Sequence, residues 1–120
     1  NRYLAGITEV ALKDHVADKT NWRTMLKNDI ADEDLVSWRE KLKQYIPDEA
    51  KDYFIASNSE TNIQFPVLQY PTKPKSLNLD KTPNFEGKLV GVKGQYLIFE
   101  DNTVFNIRGS EGYVVAISLV

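Results

Sequence analysis

The chain has 120 residues, 42% hydrophobic and 27% charged, with a formal net charge of −2, values of an ordinary globular domain rather than a disordered or membrane-spanning chain. One core burying roughly two thirds of the unfolded surface fits that length. With no cysteine there are no disulfides and no thiolate metal ligands, and with no apolar run of transmembrane length and no signal-peptide pattern a cytoplasmic home without membrane contact is expected.

Ile7, Val10, Ala11 and Asp14 recur at helical spacing, and Leu12 and Val16 widen the stripe, which predicts a helix over residues 7–17. A polar break at 18–21 leaves Thr20 or Asn21 to cap a short second helix through Trp22, Met25 and Leu26. In a third helix Asp32, Glu33 and Asp34 place negative charge in the first turn, and Leu35, Trp38, Leu42, Tyr45 and Ile46 line one face. Pro47 stops it. The same proline can open a fourth helix that buries Ala50, Tyr53 and Phe54.

From Asn62 the pattern becomes extended. Ile63, Phe65, Val67, Leu68 and Tyr70 favour a strand, which Pro66 and Pro71 confine to an edge. Leu77 and Leu79 alternate with polar neighbours in a short half-buried strand, and another strand is expected near residues 85–91. Residues 95–99 and 103–107 then form a hairpin about a two-residue turn, Asp101-Asn102. That turn pairs Phe99 with Val104, Ile98 with Phe105, Leu97 with Asn106 and Tyr96 with Ile107. Tyr96, Ile98, Phe105 and Ile107 then share one apolar face, while Leu97, Phe99 and Val104 lie opposite. A last strand, residues 113–119, turns Tyr113, Val115, Ile117 and Leu119 toward the core. The fold class is α+β, with N-terminal helices followed by a C-terminal antiparallel sheet that is barrel-like or strongly curled. The expected division is a helical segment at 1–60, the end of an upstream domain, and a β domain at 61–120.

Charge divides along the same line, with nine Lys or Arg against twelve Asp or Glu in residues 1–62 and six against five in 63–120. Lys73, Lys75, Lys81, Lys88, Lys93 and Arg108 are the candidate nucleic-acid contacts, with Tyr70, Phe85 or Phe99 as stacking platforms. The plainer reading is that lysines on edge strands deter aggregation and that aromatics in strands are core. On the first helix Glu9, Asp14, His15 and Asp18 offer carboxylates and an imidazole of the kind that hold a divalent metal for phosphodiester cleavage, with His15 and Asp18 one helical step apart. Acidic residues on a helix more commonly form its solvated face.

Three stretches together, residues 9–23 (EVALKDHVADKTNWR), 70–73 with 77–83 (YPTK, LNLDKTP) and 91–99 with 112–113 (GVKGQYLIF, GY), resemble the carboxy-terminal part of a family of uncharacterised bacterial cytoplasmic proteins, catalogued as a domain of unknown function. The resemblance implies a longer protein, with a zinc-ribbon-like segment and a segment similar to GIY-YIG nucleases lying mostly before Asn1. On that similarity Glu9 matches the metal-binding glutamate. The tyrosine pair and arginine helix of that motif are not in this chain. The leading expectation is therefore a non-catalytic module, itself without a cofactor, that associates with nucleic acid and with its own upstream segment. The alternatives are part of a divalent-metal nuclease contributing Glu9, and a scaffold or oligomerisation module.

Overall fold

Asn1 caps the first helix, α1 (Arg2–Leu12), by accepting the Tyr3 N–H on its side chain at 2.9 Å. Leu4, Ile7, Thr8, Ala11 and Leu12 are the half-buried positions, an i, i+3, i+4, i+7, i+8 stripe. That stripe begins earlier than residues 7–17, and Val10, counted into the expected stripe, is exposed. The amides of His15 and Val16 both reach Leu12 O, closing a tight turn. Asp14, His15 and Asp18 therefore lie past the helix end.

The computed structural model describes residues 1–120, and its contacts separate two units: Asn1–Asn21 with Ile30–Asn62, and Trp22–Asp29 with Ile63–Val120. The first unit contains α1, α3 (Leu35–Lys43) and α4 (Asp48–Lys51). Asp34 is the N-cap of α3, its carboxylate accepting the Val36 and Ser37 amides and the Ser37 hydroxyl. These bonds hold its pKa below the usual value, the Ser37 side chain first. Pro47 separates α3 from α4, and Ala50 is buried. Phe54 is half-buried, but Tyr53, expected inside, is exposed.

The second unit combines α2 (Trp22–Leu26) with a four-stranded sheet of β1 (Lys75–Ser76), β2 (Leu89–Lys93), β3 (Tyr96–Phe99) and β4 (Thr103–Asn106) in the order β1-β4-β3-β2. Gly94, at φ +57, makes the turn between β2 and β3. Phe65 to Leu68 do not form a regular strand. They lie along β2 through Leu68 N–H to Val90 O, Val92 N–H to Pro66 O, and a bridge from Val67 to Gly91. Gly91 permits this approach, because a Cβ there would stand 2.9 Å from the Val67 side chain.

The sheet departs from expectation in three ways. It is open rather than a barrel, and β1 pairs parallel with β4. Residues 113–120 form no strand, since β1 already occupies the free edge of β4, with Lys75 N–H on Asn102 O and Leu77 N–H on Val104 O. The β3–β4 register is also shifted by one: Ile98 faces Val104, Leu97 faces Phe105 and Tyr96 faces Asn106. Asn102 adopts φ 70 and its amide returns to Phe99 O, so the loop holds three residues, Glu100 to Asn102. A slip of one residue exchanges faces. The core is consequently Leu26, Val90, Tyr96, Ile98 and Val104, with Trp22, Met25 and Val67 packed against it, while Phe105 is half-buried and Ile107 exposed.

The same loop carries an acid-sensitive contact. Asp101 accepts the Thr103 amide at 2.9 Å and its hydroxyl at 2.8 Å, and these bonds, the backbone one first, lower its pKa below 3.8. A depressed carboxylate stabilises the fold above its unfolded pKa, and the contribution fades as pH falls through the folded value. In urea unfolding as a function of pH, Asp101→Asn is expected to be less stable than the parent at neutral pH. The gap should narrow below pH 3.8.

Candidate nucleic-acid interface

Parallel pairing of β1 and β4 sends both chains out at the same end of the sheet. After β1 the chain runs through Leu77, Asn78 and Leu79; after β4 it enters a 3₁₀ turn, Arg108–Ser110. Between these exits lies a cleft of about 240 Å³ lined by Ser76, Leu77, Asn78, Leu79, Asn106, Gly109, Ser110 and Tyr113. Its polar groups are amides and hydroxyls. Its apolar surface is two leucines and the tyrosine ring.

Hydrogen bonds fix most of this lining. Asn106 Oδ1 accepts from Gln95 Nε2 at 3.0 Å and from the Gly109 amide at 2.8 Å, while its Nδ2 donates to Tyr96 Oη at 3.3 Å. The Ser110 hydroxyl donates to Asn106 O. Asn78 Oδ1 accepts the amides of Asp80 and Lys81, turning the chain after β1. Tyr113 Oη donates to Asp80 Oδ1 at 2.5 Å, joining the two exits, and this bond is the first cause of a raised Tyr113 pKa.

The six basic candidates do not make one surface. Lys81 and Arg108 are exposed and form no ion pair; Arg108 directly precedes Gly109 of the cleft, and the Lys81 amide bonds Asn78 Oδ1. Lys73, Lys75 and Lys88 belong to the hairpin-tip end: the Lys73 amide bonds Asn102 Oδ1, Lys75 pairs with Thr103, and Lys88 bridges Glu100 at 2.9 Å. Lys93 is 6% exposed, so its assignment to a phosphate-contacting surface is corrected. On the α2-covered face, its ammonium donates to Met25 O at 2.9 Å and Asn28 Oδ1 at 3.2 Å, and lies 5.5 and 5.3 Å from the Phe65 and Tyr70 rings. Tyr70 is thereby occupied as a stacking platform, and Phe85 and Phe99 pack edge to face at 4.8 Å.

Glu9 is an exposed residue of α1. His15, off the helix, stacks on Tyr45 at 3.5 Å between ring centroids. No three His, Asp or Glu side chains converge on a point where a metal ion could be held, Glu9 included. The cleft residues Ser76, Asn78, Asn106 and Ser110 were not singled out as site residues from sequence, and Tyr113, expected in the core of a last strand, is exposed. The available signal was the Asn, Gly and Ser content directly after two strands, the composition of chain reversals.

No helix is long and apolar enough to cross a membrane. The family described as "Protein of unknown function (DUF2797)" matches residues 1–115, in agreement with the resemblance carried by the three stretches to a domain of unknown function. No curated protein and no solved structure matches the chain.

Proposed function

We propose that this chain, which belongs to the DUF2797 family, is a non-catalytic module that binds single-stranded nucleic acid at the β1–β4 cleft. Lys81 and Arg108 take backbone phosphates, and the cleft takes a base. The observation that carries the reading is the cleft itself, a concavity of uncharged hydrogen-bonding groups, with Lys81 and Arg108 on the two chain segments that form it and neither of them in an ion pair. Charge adds support: the sheet unit has eight Lys or Arg against six Asp or Glu, the helical unit seven against eleven. Single strands suit such a site because their bases are free to leave the stack and present their edges.

Fluorescence polarisation with single- and double-stranded oligonucleotides at low and moderate salt tests this. Affinity for the single strand should fall with salt at a slope of about −0.7 per phosphate neutralised, and Lys81→Glu with Arg108→Glu should reduce the slope by about 1.4. Lys88→Glu, which alters a lysine already paired with Glu100, should change affinity far less. Absence of binding at low salt by the folded protein overturns the reading.

A further inference from the structure

We infer that the Tyr113 ring is the platform on which the base stacks, with Asp80 as the residue that positions it, an assignment that rests on the single-strand reading above. Tyr113 is the one aromatic residue lining the cleft. It is 47% exposed, and its ring engages neither another ring nor a cation. The three platforms expected from the sequence are all engaged elsewhere, Tyr70 with the Lys93 ammonium at 5.3 Å and Phe85 with Phe99.

Tyr113 is tethered at both ends. Its backbone N–H donates to Ser110 O at 3.3 Å, on the exit after β4, and its hydroxyl donates to Asp80 Oδ1 at 2.5 Å, on the exit after β1. The side chain therefore spans from one chain exit to the other, and the ring between these attachments forms a wall of the cleft. Asp80 is not itself part of the lining. It follows Leu79, which is, and the bond from its amide to Asn78 Oδ1 fixes the turn in which it sits.

A ring held in this way has little freedom left to lose when a base settles on it, so more of the stacking energy is realised as affinity. Stacking also ignores the donors and acceptors of the base edge, because every base has a π-face. Tyr113 thus contributes to the binding of any base. Leu77 and Leu79 supply the remaining apolar surface, and about 240 Å³, below the roughly 300–1,000 Å³ of sites for drug-sized molecules, suits one base rather than a run of them.

Two oligodeoxynucleotides of equal length provide the test, one abasic throughout and one carrying a single central thymine, titrated by fluorescence polarisation. For the parent the base should tighten binding by about five- to a hundredfold. Tyr113→Ala, a change outside the core, should bring that ratio to about one while leaving the affinity for the abasic strand and its salt slope unchanged. Tyr113→Phe and Asp80→Ala each cut the tether and keep a ring, so both should lower the ratio by the same factor, with no further loss when combined. Asp80→Asn, which keeps an oxygen for the tyrosine hydroxyl, should retain the parent ratio. The ratio cancels any effect of the lost carboxylate on phosphate attraction, which acts on both strands alike. A ratio that survives Tyr113→Ala overturns the platform and leaves the single-strand reading standing, and one that survives both tether variants overturns the positioning role of Asp80. No binding of either strand by the folded protein at low salt overturns both readings.

Discussion

Ile98→Ala is expected to lower the unfolding free energy by about 2–5 kcal/mol, the range for deleting a fully enclosed aliphatic side chain. Ile98 has no exposed surface and lies among Leu26, Val90, Tyr96 and Val104, contributed by α2 and three strands. A cavity there cannot be filled without moving the helix or the sheet. Urea unfolding followed by circular dichroism should show a lower midpoint with an unchanged slope. The same measurement tests the register. Val104→Asp places an unpaired carboxylate at a site 1% exposed and should abolish the folded sheet unit at neutral pH, whereas Phe105→Asp, on the half-buried opposite face, should remain folded with a reduced midpoint. Equal tolerance at both positions would contradict the slipped pairing.

Lys93→Met carries the second large effect, a loss of about 2–3 kcal/mol. Methionine keeps the volume of the stem but withdraws a charged donor from Met25 O and Asn28 Oδ1, bonds of a type worth about 1.5–3 kcal/mol. It also removes the cation from beside Phe65 and Tyr70, an interaction of about 2 kcal/mol when desolvated. Relief from burying a charge offsets part of the sum. Urea unfolding measures the loss. In oligonucleotide titrations the salt slope of Lys93→Met should equal that of the parent, since this ammonium faces α2 rather than phosphate.

Where local pattern and local chemistry agree, the sequence was readable. Trp22, Met25 and Leu26 announce α2, and the runs on either side of Glu100 to Asn102 form a hairpin, while α3 starts at Leu35, so that Asp32, Glu33 and Asp34 precede its first turn instead of forming it. The register failed on one residue: Asp-Asn suits a two-residue turn, and only the backbone of Asn102 at φ 70 reveals the third. Partners distant in sequence were not readable. Residues 113–119 alternate as a strand would, yet nothing local indicates that Lys75 and Ser76 have taken the edge of β4. Lys93 looks like any surface lysine because its burial depends on Met25, Asn28, Phe65 and Tyr70. The cleft was hidden for the same reason, being made by two chain exits that only the parallel pairing brings together.

That parallel pairing also bears on how the protein reaches its fold. The β2–β3 and β3–β4 hairpins connect neighbours in sequence, and hairpins close in about 1–10 μs. Lys75 meets Thr103 only after the intervening hairpins exist to present the β4 edge, and Lys93 reaches Met25 across 68 positions. The entropy of closing such loops is lost before the contacts they enable are gained. Assembly is therefore ordered, with a nascent meander first and the β1 and α2 attachments afterwards. The cleft belongs to the late stage, so a partly folded chain has its hairpins before it has the cleft between the two chain exits.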